Sequence, residues 1–215
     1  CVQIMTGARM PDGADTVVPQ EATRVDDAGR VWLSRDQRPG QNVRRRGEDI
    51  SEGDVVLARG KRIGAAELGV LASMGYSEAS VYAPLRVAVF STGDELREPG
   101  EPLVDGQIYD SNRPILRSLV ARAGCAVSDL GILPDTEQAV RDALTDAAVN
   151  HDVIVTSGGV STGVADYVTR SLQALGQLGV WRIALRPGRP FAHGRIGACE
   201  FFGLPGNPVA VMVTF

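Results

Sequence analysis

The chain has 215 residues, 44% of them hydrophobic and 22% charged, with a formal net charge of −4. That length and apolar content can bury a core in more than one structural unit, and the negative balance argues against a nucleic-acid-binding surface. The three cysteines, Cys1, Cys125 and Cys199, form no C-x-x-C pair, so neither a zinc cluster nor a disulfide framework is supported, and a reducing cytoplasm fits best.

No apolar run approaches the ~20 residues that span a bilayer, and the first residues lack a basic-then-apolar signal pattern, so no membrane partner is expected. The chain starts at Cys1 rather than Met and stops at Phe215 inside an apolar stretch without a helix C-cap, which predicts a fragment of a longer protein.

In chain order, residues 1–53 carry short β-rich runs such as Thr16-Val17-Val18 and Val31-Trp32-Leu33. Turn residues at Asp26-Asp27-Ala28-Gly29 and Pro39-Gly40 separate them, and the pattern predicts a small β-rich domain. Within it the Arg44-Arg45-Arg46 run reads as a solvated face, with Asp49 as its counter-charge, and Thr6 as part of a strand-end turn. Residues 54–83 predict a bridging segment: Val55-Val56-Leu57 as a strand and 65–74 as a short amphipathic helix.

From 84 to 215 strands and helices alternate. Strands are expected near 86–91, 127–133, 153–156, 180–185 and 201–203. One helix carries Ile115, Leu116, Leu119, Val120 and Ala123, and another Ala139, Val140, Ala143, Leu144, Ala147 and Ala148. Such alternation predicts an α/β fold with a doubly wound, mainly parallel sheet.

The chemistry gathers where these strands end. The run Val153-Ile154-Val155-Thr156 breaks into Ser157-Gly158-Gly159-Val160-Ser161 and closes on Asp166. Two glycines let backbone N–H groups approach an anion, and a following helix adds its positive end. The strand ending at Ser91 runs into Thr92-Gly93-Asp94-Glu95, a small-residue turn with two acids. The segment Asp105-Gly106-Gln107-Ile108-Tyr109-Asp110-Ser111-Asn112 leads into the next helix, and capping alone could account for Asp110. Asp135 follows Leu130-Gly131-Ile132-Leu133 and reads equally as a site acid or a helix N-cap. In Arg186-Pro187-Gly188-Arg189-Pro190 two prolines stiffen a loop whose guanidinium groups can face one oxyanion, and Gly203-Leu204-Pro205-Gly206-Asn207-Pro208 forms a rigid turn before the last apolar stretch. His151 and His193 lie in unrelated segments and give no metal-ligand pair.

These segments resemble the MoeA-type molybdopterin molybdenumtransferases, the family that includes the gephyrin E-domain. The resemblance spans the chain through Ile4-Met5-Thr6-Gly7-Ala8, Gln41-Asn42-Val43-Arg44-Arg45-Arg46-Gly47-Glu48-Asp49-Ile50, Ser91-Thr92-Gly93-Asp94-Glu95-Leu96, Ser157-Gly158-Gly159-Val160-Ser161 and Gly203-Leu204-Pro205-Gly206-Asn207-Pro208. It implies a molybdopterin-binding, MogA-like α/β domain over 84–215. It also implies a cytoplasmic, homodimeric transferase of molybdenum cofactor biosynthesis that inserts molybdenum from molybdate into adenylylated molybdopterin and releases AMP with magnesium. The molybdopterin adenylyltransferase of the same pathway is a candidate partner.

By the same resemblance Glu95, Asp135 and Asp166 are the catalytic, metal-holding acids. Thr6, Asp49, Asp110, Asn112, Ser157, Gly158, Gly159, Ser161, Arg186, Arg189, Pro205 and Pro208 form the substrate-binding set. Arg186 and Arg189 stand where many relatives carry lysines thought to meet molybdate; arginine keeps the charge and alters the geometry. Ala210 stands where a serine is common, so a hydroxyl donor to molybdate is expected to be missing. Two alternatives stay open: the adenylyltransferase itself, which lacks the regions around Thr6 and Arg44 to Ile50, and a non-catalytic scaffold related to the gephyrin E-domain.

Overall fold

The structure is a computed structural model that describes residues 1–159 and 167–215. The chain divides into two compact units, Cys1–Ala79 and Ser80–Phe215. The expected bridging segment is therefore not a separate body, since 54–79 belongs to the first unit and 80–83 to the second.

In the first unit strands β1 (Thr23–Val25) and β2 (Val31–Leu33) form an antiparallel hairpin, with Thr23 opposite Leu33. Asp26 builds its turn: one carboxylate oxygen accepts the N–H groups of Ala28 and Arg30, the other the Arg30 Nε and Trp32 Nε1 donors. The Arg30 N–H bond is the main reason that the Asp26 carboxyl titrates below its ordinary value. Two expected strands do not form. Val17 bonds the loop beyond it, donating to the Gln41 carbonyl at 3.0 Å and accepting from Asn42 Nδ2 at 2.9 Å, and 55–57 has no neighbouring strand among the described residues to complete a ladder. Helix α1 (Ala65–Ser73) lies where expected, and its Glu67 carboxylate accepts the Gly64 N–H at 2.9 Å, which satisfies a free donor at the first turn.

The second unit holds a six-stranded sheet: β3 (Arg86–Thr92), β6 (Ala126–Leu133), β7 (Val153–Ser157), β8 (Gln177–Arg182), β9 (Pro190–Ile196) and β10 (Cys199–Leu204), in the order β6-β3-β7-β10-β9-β8. A short ladder of β4 (Leu96–Arg97) and β5 (Ile108–Tyr109) stands apart from it. The helices are α2 (Asn112–Arg122), α3 (Glu137–Asn150), α4 (Tyr167–Leu175) and α5 (Pro208–Thr214).

Strand β3 shows why both faces are covered, because its residues alternate between two cores. Ala88 and Phe90 pack with Val140, Leu144 and Ala147 of α3 and Val168 and Leu172 of α4, while Val87 and Val89 pack with Leu116 and Val120 of α2 and Val211 of α5. A strand buried on both faces reads as a continuous apolar run, which is how Val87-Ala88-Val89-Phe90 appears.

The doubly wound half is as expected, with β6, β3, β7 and β10 all parallel. The other half differs: β10 pairs antiparallel with β9, and β9 with β8. β9 is not among the expected strands, because the prolines at 187 and 190 mark that stretch as loop, and β8 begins three residues before the expected 180. Pro190 is tolerated as the first residue of its strand.

Candidate functional site

Parallel strands bring their carboxyl ends to one edge of the sheet, and a crevice opens where the winding reverses. After β3 the chain crosses by α2 to β6 on one side, then by α3 over the opposite face to β7 on the other side. The reversal lies between β3 and β7, and there Ser91 and Ser157, both buried, face each other with hydroxyl oxygens 3.3 Å apart.

Just beyond, the chain turns at two glycines. Gly158 has φ +83° and Gly159 φ +66°, the left-handed region that side chains disfavour. Space is also short: a Cβ on Gly158 would stand 3.2 Å from the Thr92 carbonyl oxygen, and one on Gly159 2.5 Å from Val168 Cγ2 and 3.0 Å from Thr92 Cγ2. The Gly158 N–H donates to the Leu204 carbonyl at 3.1 Å, which ties the turn to the end of β10.

Asp135 lies two residues past β6, and its Oδ1 accepts the Thr92 hydroxyl at 3.1 Å. The helix N-cap that it could have been is Thr136, whose hydroxyl oxygen accepts the Ala139 N–H at 3.3 Å. Asp135 is thus directed toward the end of β3. Glu95 is exposed, and its carboxylate folds back over Gly93, where a Cβ would come within 2.9 Å of it.

Asp110, expected in the substrate-binding set, is 1% exposed and gives both oxygens to Arg113: Oδ1 accepts its backbone N–H at 3.1 Å, Oδ2 its Nε at 3.0 Å. The Arg113 guanidinium also bonds both oxygens of Asp129 at 2.7 Å and the Glu98 carboxylate. Burial opposes its charge, yet these three partners hold its pKa above the ordinary arginine value. Asn112 faces the site more directly. Its Nδ2 donates to the Gly206 carbonyl at 2.7 Å, and its buried Oδ1 has no hydrogen-bond partner among the described residues.

The turn after β10 completes this edge. Pro205 is buried, Pro208 opens α5, and the Asn207 side chain caps that helix by accepting the N–H groups of Val209 and Ala210. Arg186 and Arg189 are exposed on the β8–β9 loop, and Gly188 between them packs against Thr214 of α5 and Pro205. The loop therefore borders the same turn. Ala210 is 2% exposed within α5, directly behind the Asn207 cap that accepts its N–H.

In the first unit Thr6 is exposed in a turn closed by the Ala8 N–H on the Met5 carbonyl, and Asp49 is exposed and pairs with Arg44 at 2.9 Å. Ser161 and Asp166 lie outside the described residues. Thr92, absent from the expected set, is the residue that sequence reading misses; its place at the end of an apolar strand beside Gly93 is the available signal.

Among the described residues no group of three His, Cys, Asp or Glu side chains could hold a metal ion. Glu95 and Asp135 are hard oxygen donors, and magnesium commonly takes one or two carboxylates together with substrate phosphate oxygens.

Residues 88–215 match the family described as "Probable molybdopterin binding domain", and residues 1–75 match "MoeA N-terminal region (domain I and II)". The chain is 47% identical over 214 residues to a molybdopterin molybdenumtransferase of Haemophilus influenzae, covering 100% of this chain and 53% of the relative. It is 35% identical over 243 residues to a gephyrin of Dictyostelium discoideum, covering 100% of this chain and 34% of the relative. A solved molybdopterin biosynthesis moeA protein of Pyrococcus horikoshii superposes with a TM-score of 0.76 at 28% identity, over 99% of this chain and 51% of that one. The chain thus spans about half the length of curated molybdopterin molybdenumtransferases that it matches. With both matches falling in the order and places of its two units, the chain belongs to the MoeA-type molybdopterin molybdenumtransferase family.

Proposed function

We propose that the chain serves molybdenum cofactor biosynthesis as a transferase that inserts molybdenum from molybdate into adenylylated molybdopterin and releases AMP. The observation that supports this most is the winding reversal between β3 and β7, where a glycine turn and the carboxylate of Asp135 share one residue, Thr92.

In this reading Ser157, Gly158, Gly159 and Ser161 cradle the phosphate or pterin, Asn112, Pro205 and Pro208 shape the rim, and Asp110 acts through Arg113. Arg186 and Arg189 meet the molybdate dianion, with the planar guanidinium offering paired donors. Glu95, Asp135 and Asp166 hold magnesium, which when bound neutralises phosphate charge during release of AMP. Thr6 and Asp49 belong to the binding set of a homodimer, in the cytoplasm, with the adenylyltransferase as a partner.

The test is AMP release from adenylylated molybdopterin, measured with molybdate and magnesium for the protein and for Asp166→Asn and Asp135→Asn. Loss of release in both variants is expected, since an amide attracts magnesium far less than a carboxylate. Wild-type turnover in both would overturn the assignment. Among the alternatives, the match of 1–75 to the MoeA N-terminal region favours the molybdenumtransferase over the adenylyltransferase. The likeness to a gephyrin keeps a scaffold as the second reading, and a protein that binds molybdopterin without releasing AMP would support it.

A further inference from the structure

Thr92 touches three parts of the edge at once. It is the last residue of β3, 6% exposed, and stands opposite Leu133 at the end of β6. Its hydroxyl donates to Asp135 Oδ1 at 3.1 Å, its Cγ2 lies 3.0 Å from where a Cβ on Gly159 would sit, and its carbonyl oxygen 3.2 Å from the same position on Gly158. A β-branched side chain in a strand is stiff at χ1, so one rotamer fixes where both hydroxyl and methyl point. The methyl is held against the glycine turn, and the hydroxyl is thereby aimed at the carboxylate.

We propose that Thr92 is a positioning residue: packed against the 158–159 turn, it orients the Asp135 carboxylate for the cation. This rests on the reading that Asp135 helps to hold magnesium. Hydrogen bonds behind a metal-binding side chain set its direction, and their removal commonly costs about 10- to 100-fold in metal affinity.

Four variants separate the possibilities: Thr92→Val keeps the shape and removes the donor, Thr92→Ser keeps the donor and removes the methyl, Asp135→Asn removes the acceptor's charge, and the fourth is the double Thr92→Val/Asp135→Asn. The readout is the rise in unfolding temperature as magnesium chloride is titrated with AMP present, which reports binding independently of turnover. Thr92→Val is expected to need about tenfold more magnesium for half the rise. Thr92→Ser should respond within about threefold of wild type, because its donor is retained. Asp135→Asn should lose most of the response, and the double variant should lose no more.

A wild-type response in Thr92→Val beside a lost one in Asp135→Asn would overturn the role of Thr92 alone. A wild-type response in Asp135→Asn would overturn the assignment of Asp135, and the role of Thr92 with it. Should Thr92→Val fail to fold, Thr92→Ser against Thr92→Ala asks the same question, since those two differ by the hydroxyl.

Discussion

Gly159 has little freedom at the proposed site, because backbone angle and space act against any side chain in the same direction. At φ +66° a Cβ is disfavoured, and it would stand 2.5 Å from Val168 Cγ2 in α4. Gly159→Ala is expected to lower stability by about 1–3 kcal/mol, the usual cost of a strained backbone position, and to weaken AMP binding more than stability alone explains. Thermal unfolding and AMP titration measure the two; an alanine variant with unchanged unfolding would show that the turn can relax. Arg186 and Arg189 behave differently. Both are exposed on a loop, so Arg186→Ala and Arg189→Ala should leave unfolding nearly unchanged and raise the molybdate concentration needed for AMP release more than that of the pterin substrate. Equal losses for both substrates would remove the pair from the molybdate site. At this scale the sequence is legible where a residue's chemistry is its message, as in Gly158 and Gly159. It is not legible where a contact across the sheet decides, as in the hydroxyl of Thr92 meeting Asp135 forty-three positions away. Asp110 differs: its partner Arg113 stands only three positions on, and what spacing does not give is the completion of that cluster by Glu98 and Asp129 from other elements.

The elements around the site are tied together by Arg113. Its guanidinium joins Glu98 just after β4, Asp110 just before α2 and Asp129 within β6, and Arg117 of α2 adds a second contact to Asp129 at 2.9 Å. This cluster therefore fixes both ends of the 93–111 excursion that carries Glu95. Removing one partner of a buried ion pair costs roughly 3–5 kcal/mol, because the remaining charges stay buried, so Arg113→Leu should be strongly destabilising. The cluster also predicts the acid limb of stability. Burial raises the Asp129 carboxyl, but bonds from Arg113 and the Gly131 N–H outweigh it and leave it below the ordinary value of 3.8. A carboxyl depressed on folding adds stability that is present above its unfolded pKa, about 3.9, and lost as pH falls through the lower folded value. Asp129→Asn should be less stable at pH 7 and show a flatter loss of stability below about pH 4. An unchanged slope in denaturant unfolding across that range would place the acid limb on other groups. Long periodic helices are legible here: α2 and α3 begin within two residues of their first polar cap. Strand β9 is not, because Phe191, His193 and Arg195 acquire strand character only through the hairpin with β10.

For the whole chain, the contrast between the two units decides how stability is distributed. Every residue from 1 to 79 is at least partly exposed, whereas the second unit contains every buried residue among those described. In the first unit the β1–β2 hairpin leaves Trp32 57% exposed and Leu33 48% exposed, and three-residue strands with no covered face are marginal in water. The second unit places Ala88, Val89, Phe90, Ile154 and Phe201 fully inside two cores on either side of one sheet. Local opening should follow that division, since the free energy of opening a segment rises with the apolar surface that it exposes to water. In native-state hydrogen exchange of the 215-residue chain, amides of 88–90 and 154–156 are expected to exchange slowest, near the global unfolding free energy. Amides of the β1–β2 hairpin should exchange orders of magnitude faster. The composition anticipates two units without this asymmetry, because apolar residues such as Val25, Val31 and Trp32 look like core in a sequence and become core only if something covers them. Exchange at the hairpin as slow as in the sheet, slowing further as protein concentration rises, would show that a second copy supplies that cover; equally slow exchange independent of concentration would show that contacts within the chain do so.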